Sequence, residues 1–357
     1  MKNFSLLFIT RNYPPTLGGL EKYSFDLFTN LKTVFPNISL IANRHHLKSL
    51  PWFFIRTLFY LLFKARKFTH IHLADGSLSI LIPYIKLINP KVSISISIHG
   101  LDITYRNYLY QIFIPRLIRL ANAIVCVSNN TMQECLKREI PQEKCHVITN
   151  GIDFKDGNFE KVNLSELEEM CGISLSGKQV LFSIGRLVRR KGIVWFLENV
   201  MIKLDEQSIY IIAGSGKEEQ SIIDTIEQCH LTKQVFLLGN VTEKQKVILF
   251  KSADFFIMPN IRVKNDIEGF GLTVLEAGKY GVTVIASAIE GLLDSVLHEK
   301  TGYLVEEQNA SEFLKRLQAP PLNRASVQHE ASANFSWQKI ILMYRDLFIY
   351  TTNNQNN

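Results

Sequence analysis

A chain of 357 residues, 46% hydrophobic and 20% charged, is long enough for two domains of roughly 150 residues each and too apolar to be disordered or collagen-like. Its five cysteines (Cys126, Cys135, Cys145, Cys171 and Cys229) form no CxxC pair and no His/Cys ligand spacing, which argues against a disulfide framework and for a reducing compartment. The net charge of +7 is unevenly held: residues 1–150 carry 18 Lys/Arg against 7 Asp/Glu, residues 151–357 carry 22 against 26.

The pattern along the chain is strand, turn, helix, repeated. Phe4–Ile9 reads as a buried strand, ended by Tyr13-Pro14-Pro15 and Gly18-Gly19. It is too short for a secretory leader and stops at Arg11 without a small-residue cleavage site. A helix follows with Leu20, Tyr23, Leu27, Phe28 and Leu31 on one face. Val92–Ile98 alternates Val/Ile with serine and ends at His99-Gly100; Ile124–Val127 and Val147–Thr149 read as further short strands. From about residue 154 to 178 the chain turns polar and acidic, marking a boundary. A second series then predicts strands at 180–184, 209–213, 235–238, 255–258 and 282–286. Two such series imply an α/β protein of two Rossmann-like parallel-sheet domains facing each other across a cleft, with right-handed crossovers. The expected domains are 1–165 and 166–337. The final helix, about 337–350, has a mixed face that fits either domain, and Thr351–Asn357 reads as a frayed polar tail.

Two N-terminal stretches join aromatic and basic residues. The first is Trp52–Lys67, in which Arg56 and Lys64 leave too short an apolar run for a bilayer span of roughly 20 residues. The second sets Tyr105, Tyr108, Tyr110, Phe113 and Leu117 beside Arg106, Arg116 and Arg119. Each reads equally as a core helix with solvated cations. Together with the +11 of the N-terminal half they point to an anionic membrane surface or a phosphate-bearing acceptor; no nucleic-acid partner is expected.

The strongest chemical motif is Glu268-Gly269-Phe270-Gly271-Leu272-Thr273-Val274-Leu275-Glu276. A Gly-rich turn opening a helix aims free backbone N–H groups at an anion. Glu268 lies in the turn and Glu276 on the helix's second turn, so the two reach different parts of one ligand. The plain alternative is a helix start with two solvated glutamates. Gly185-Arg186-Leu187-Val188-Arg189-Arg190-Lys191-Gly192 follows a strand, where Arg186 and Lys191 suit a diphosphate, with Arg189 and Arg190 expected in solvent. Gly18-Gly19 is a third anion site. Gly214-Ser215-Gly216 and Leu238-Gly239-Asn240-Val241 are turns able to frame a base. His99 sits at a strand end and reads as either a structural group or a catalyst. His70 and His72 lack a third ligand, so no metal site is expected.

In order, these motifs resemble the retaining GT-B glycosyltransferases of family 4. Gly18-Gly19-Leu20-Glu21 is similar to that family's N-terminal glycine loop, His99-Gly100-Leu101-Asp102 to its HGxD, Asn150-Gly151-Ile152-Asp153 to its NGxD, Gly185-Arg186…Lys191-Gly192 to its GRL…KG, and Glu268…Glu276 to its E-x7-E. The resemblance implies an acceptor-binding N-terminal domain and a donor-binding C-terminal one. It makes Arg186 and Lys191 the diphosphate clamp, assisted by amides at Gly18, Gly19 and Phe270 to Thr273, and places Glu276 on the ribose, Glu268 on the donor sugar and His99 at the reacting centre. The base would lie near Gly239–Val241, with Gly269 and Gly271 lining the donor. It implies no metal and no cofactor beyond the nucleotide-sugar substrate, GDP- or UDP-linked. The implied acceptor is a lipid-linked or membrane-bound saccharide in bacterial cell-surface polysaccharide or lipopolysaccharide assembly, at the cytoplasmic face of the membrane. Non-catalytic nucleotide-sugar binding and 2-epimerisation are the alternatives. Three departures from the family pattern are Thr283 for proline, Glu290-Gly291-Leu292-Leu293-Asp294 for Gly-Gly-x-Pro-Glu, and Ser215 for aspartate.

Overall fold

The computed structural model describes residues 4–16, 18–44, 49–155 and 165–356, so part of the expected boundary segment, 156–164, lies outside the described residues. The chain forms two compact units, one of residues 1–151 with 337–357 and one of residues 152–336. The division falls ahead of the expected boundary at 165.

The first unit is a six-stranded parallel sheet in the order β2-β1-β3-β4-β5-β6: β1 (Leu6–Thr10), β2 (Ile38–Ala42), β3 (His70–Leu73), β4 (Ser93–Ile98), β5 (Ala123–Cys126) and β6 (Cys145–Val147). β2 and β3 were not expected from the sequence. β2 is an edge strand and mostly half-buried, while β3 interleaves two histidines with Ile71 and Leu73.

Strand periodicity gives this sheet two different faces. Leu7, Ile9, Ile71, Leu73, Ile94, Ile96, Ile98 and Ile124 share a core with the Leu50–Lys64, Ile82–Ile88 and Tyr108–Ile118 helices. The opposite face carries Leu6, Phe8, His70, His72 and the β4 serines, covered by the Gly19–Val34 helix and the Trp337–Asn356 helix. The Ser/Ile alternation of β4 is therefore not a wet and a dry face; both are buried, and on the serine face Ser95 and Ser97 are hydrogen-bonded while Ser93 Oγ has no partner among the described residues. Ser95 Oγ lies 2.7 Å from His70 Nε2 and 2.8 Å from His72 Nδ1. Tyr23 Oη bridges Ser97 Oγ (2.7 Å) and Tyr344 Oη (2.8 Å). Burial holds the His70 imidazole down to about 3 and keeps His72 well below its ordinary value, so both rings are neutral parts of this network.

The final helix runs to Asn356, which corrects the frayed tail. Thr351 and Thr352 are buried, His70 Nδ1 sits 3.0 Å from Thr352 Oγ1, and Asn122 donates to Gln355. Polar partners on the first unit, invisible in composition, hold this polar segment in place.

The second unit is also a six-stranded parallel sheet, in the order β12-β11-β10-β7-β8-β9: β7 (Gln179–Ile184), β8 (Ser208–Ala213), β9 (Val235–Leu237), β10 (Phe255–Met258), β11 (Thr283–Ser287) and β12 (Gly302–Val305). Apolar cores cover both of its faces, as an all-parallel sheet requires. All five cysteines are free thiols.

Candidate active site

In an open parallel sheet, ligands bind outside the carboxyl ends of the strands where the strand order reverses. In the second unit that point lies between β7 and β10, the first strand and the one laid down on its other side. The chain leaves β7 through Gly185-Arg186 and β10 through Pro259-Asn260, and the charged motifs meet there.

Lys191 Nζ lies 2.6 Å from Glu268 Oε2, and both side chains are largely buried. Asn260 Nδ2 donates to the same oxygen at 3.3 Å, and Arg190 reaches it at 3.5 Å while its other nitrogen stands 3.4 Å from Asp266 Oδ1. Burial works to raise the Glu268 carboxyl, but Lys191, Arg190 and the Asn260 amide outweigh it and hold the group at about 2. Burial also lowers Lys191, aided by Arg190 and Arg186 and opposed by Glu268. Arg190, expected in solvent, is buried: the 189–191 turn points Arg189 outward and Arg190 into this carboxylate cluster. Arg186, nearer β7 in the same strand-to-helix connection, is exposed.

The turns around this point fit together through glycine. A Cβ on Gly192, which has φ +66°, would stand 1.8 Å from the Pro259 carbonyl oxygen, and one on Gly214 would stand 1.9 Å from that of Gly185. Ser215 Oγ donates to Asn240 Oδ1 (3.1 Å) and the Gly214 N–H to the Gly239 carbonyl (2.7 Å), so the two expected base-framing turns are joined, Gly239 and Val241 among them. At the Gly-rich loop, Gly271 caps the Leu272–Lys279 helix in the left-handed conformation. The Phe270 ring is buried edge-on to Phe335, which leaves only its backbone for a ligand; Leu272 and Thr273 begin the helix, and Thr273 Oγ1 approaches Met258 Sδ at 3.9 Å.

The departures from the family pattern have local explanations. Glu290 accepts a hydrogen bond from the Glu268 backbone N–H, and the Gly291 N–H donates to the Glu268 carbonyl, so this segment fixes the turn that carries Glu268. Burial, with Glu268 adding to it, pushes Glu290 up to about 7 against the pull of that hydrogen bond. Thr283 Oγ1 accepts the Leu322 N–H at 2.8 Å. Glu276 sits on the second helical turn, as expected, and is paired with Lys246 at 3.0 Å, a partner the sequence reading did not find.

In the first unit the order reverses between β1 and β3, and a second polar cluster stands at their carboxyl ends. Arg11 Nε lies 3.0 Å from Asp75 Oδ1; Asp75 Oδ2 is buried and has no hydrogen-bond partner among the described residues. His99, one strand over, donates from Nε2 to the Ala74 carbonyl (2.9 Å), which leaves Nδ1 for another partner. The Tyr23 ring meets it edge-on at 4.4 Å. Asp102 organises the turn, accepting the His99 N–H at 2.8 Å and the Gly76 N–H at 2.9 Å. Arg11 and Asp75 were not singled out from the sequence; Asp75-Gly76 marks a turn, but only the strand order brings the two residues together. Gly18 and Gly19 open the first helix and are exposed, and the Glu21 carboxylate lies against Gly18 where a phosphate was expected.

Comparison with known proteins places both units. Residues 5–156 match the family model described as Glycosyltransferase Family 4, and residues 173–329 that of Glycosyl transferases group 1. An uncharacterized glycosyltransferase of Methanocaldococcus jannaschii is 31% identical over 193 residues, 52% of this chain and 47% of that one. The putative colanic acid biosynthesis glycosyltransferase WcaL of Escherichia coli is 27% identical over 62% of this chain and 53% of its own. The chain thus spans about half the length of these two relatives. The UDP-Gal:alpha-D-GlcNAc-diphosphoundecaprenol alpha-1,3-galactosyltransferase of Escherichia coli is 25% identical over 80% of this chain and 72% of its own. Among solved structures, Anabaena Alr3699/HepE in complex with UDP superposes with a TM-score of 0.75 at 18% identity, covering 96% of this chain and 99% of that one. Sucrose-phosphate synthase of Thermosynechococcus elongatus does so with a TM-score of 0.74 at 18% identity, covering 97% and 100%. These likenesses establish the fold as GT-B.

Proposed function

The chain belongs to the glycosyl transferases of group 1 and Family 4, and from that footing we propose that it moves a sugar, with retention of anomeric configuration, from a nucleoside diphosphate sugar to a lipid-linked or membrane-bound saccharide in bacterial surface-polysaccharide assembly. The observation that carries the proposal is the Lys191–Glu268 pair at the β7/β10 switch point, with Arg186 exposed in the same strand-to-helix connection.

The chemistry follows from those groups. As the bond from the anomeric carbon to the diphosphate breaks, negative charge grows on the leaving oxygens. Arg186 and Lys191 stabilise it at fixed positions, where preorganised charge is worth most. The departing phosphate oxygen takes the acceptor hydroxyl proton while the new carbon–oxygen bond forms on the same face. Glu268 keeps the Lys191 ammonium in place, and Glu276 binds the ribose hydroxyls. His99, its Nε2 held by the Ala74 carbonyl, turns Nδ1 to a hydroxyl at the reacting sugar. Neutralisation of the diphosphate is given to Arg186 and Lys191 rather than to a metal ion.

The donor is UDP- or GDP-linked in this reading; HepE, of the same fold, is described in complex with UDP. The acceptor class draws support from the diphosphoundecaprenol-directed relative and from the first unit's surface. There Tyr105, Tyr108, Leu109 and Phe113 are exposed among Arg106, Arg116 and Arg119. The attachment proposed is peripheral; among the described residues no helix is long and apolar enough to cross a membrane. The test is transfer from UDP- and GDP-sugars to extracted lipid-linked saccharides, with the product's anomeric configuration read by NMR. Inversion would refute the mechanism, and no transfer from any donor would refute the function.

A further inference from the structure

One cavity of the first unit stands apart from the motif residues. It holds about 360 Å³ and lies at the carboxyl end of β2, lined by Leu40, Asn43, Arg44, Trp52, Phe53 and Arg56 among others. β2 is the neighbour of β1, so the cavity stands on the same sheet edge as Arg11 and Asp75.

Its two cations are held by neutral groups. Arg56 donates to the Ala42 carbonyl at 3.1 Å, and the Arg44 guanidinium lies 5.7 Å from the centre of the Tyr13 ring. Among the described residues neither arginine has a carboxylate within ion-pair distance. Two guanidinium groups at the mouth of one cavity are a receptor for phosphate, which offers oxygens to both.

Trp52 lines this cavity and also begins a stripe of the Leu50–Lys64 helix. Trp52, Ile55, Phe59, Leu62 and Phe63 follow one another at helical spacing and are exposed, Trp52 by 68%, Phe59 by 61% and Phe63 by 73%. The opposite stripe, Phe53, Thr57 and Leu61, is buried in the core. A surface helix that is apolar on both faces has a second apolar contact to make. At about 1.5 Å per residue the outer stripe is about 16 Å long. Lys64, Arg66 and Lys67 close its far end. Cations at both ends of an apolar track fit an anionic lipid surface and not a neutral apolar partner.

We propose that this cavity and stripe together bind a phosphate-bearing amphiphile in a bilayer, its phosphate between Arg44 and Arg56 and its apolar chain along Trp52, Ile55, Phe59 and Phe63. The assignment rests on the transferase reading only in making this amphiphile the acceptor's carrier; the binding site itself stands on the geometry above.

The experiment is co-sedimentation of the full chain with phosphatidylcholine vesicles, with and without phosphatidic acid, for wild type, Arg44→Gln/Arg56→Gln and Phe59→Ser/Phe63→Ser. All four side chains are exposed, and circular dichroism checks that each variant folds. Wild type is expected to prefer the phosphatidic acid vesicles. The arginine pair should lose that preference by about 25-fold, at roughly a factor of five per cation near the surface. The phenylalanine pair should weaken binding to both vesicles. Equal binding to the two vesicle types, or an unchanged preference in the arginine variant, overturns the proposal. Stabilisation by soluble glycerol 3-phosphate, together with unimpaired vesicle binding by the phenylalanine variant, would overturn it in favour of a free-phosphate site. Nucleotide binding is measured separately, by thermal shift. A protein that binds UDP or GDP and ignores vesicles loses this site and keeps the transferase reading; the reverse result does the opposite.

Discussion

Lys191 Nζ and Glu268 Oε2 lie 2.6 Å apart although 77 residues separate them in the chain, and each depends on the other to stay charged in a buried setting. Burial lowers Lys191, and Glu268 is the partner that offsets this. Glu268→Gln removes the offset, so Lys191 gives up its proton at lower pH. The alkaline limb of a kcat/KM profile should therefore move toward neutral pH in Glu268→Gln. A profile with its alkaline limb unmoved would show that Lys191 charge does not limit the reaction.

Lys191→Ala removes the buried half of the proposed diphosphate clamp and leaves Glu268 with Arg190 and Asn260. Loss of one preorganised charge-stabilising group costs about 10²–10³ in kcat. Arg186→Ala should act in the same direction. Initial rates at saturating donor check this, since an effect confined to KM would mean that the two cations bind substrate and transition state equally.

Glu290 gives a stability prediction with a definite sign. Its carboxyl is raised to about 7 from 4.5, so between those values the folded chain binds more protons than the unfolded one. Its contribution is then fully present below 4.5 and is lost as pH rises through about 7. The midpoint temperature of Glu290→Gln minus that of wild type should grow as pH is raised from 5 to 8, a difference that leaves out other titrating groups. A difference flat across this range would contradict the assignment.

The Trp337–Asn356 helix is part of the first unit's core, and Phe348 is fully buried there among Phe35, His70 and Tyr344. Phe348→Ala should cost about 3–5 kcal/mol. Tyr344→Phe, which removes the hydroxyl 2.8 Å from Tyr23 Oη, should cost about 1 kcal/mol. Denaturant unfolding of each variant, followed by circular dichroism, reads both.

Gly192→Ala should destabilise the second unit and disorder the clamp, because its Cβ would meet the Pro259 carbonyl at 1.8 Å in a left-handed turn. The left-handed conformation alone costs about 1–3 kcal/mol. Nucleotide affinity and thermal midpoint should fall together; a normal midpoint would mean that the turn yields freely.

The sequence was most legible where backbone chemistry marks itself. Glycines at 185, 192, 269 and 271 flagged the turns that carry Lys191 and Glu268, and alternating β and α runs announced two parallel sheets. It was least legible where neighbours in an irregular turn part company. Arg189 and Arg190 are adjacent and alike, yet a 3-10 turn sends one to solvent and the other to Glu268 and Asp266. β3 was missed because His70 and His72 break its apolar run, and their hydrogen-bond partners on β4 and the final helix are distant in sequence. The Arg11–Asp75 pair depends on strand order, which no local pattern carries.

In the proposed function Arg186 and Lys191 hold a nucleoside diphosphate at the β7/β10 switch point. A thermal-shift panel of UDP, GDP and ADP and their sugar conjugates, on wild type and Lys191→Ala, tests it most directly. A ligand at 100 times its dissociation constant adds about 2.7 kcal/mol to the folded state, a shift of several degrees. That shift is expected for one base in wild type, and its loss in Lys191→Ala. No shift with any nucleotide, or an equal shift in the variant, would contradict it.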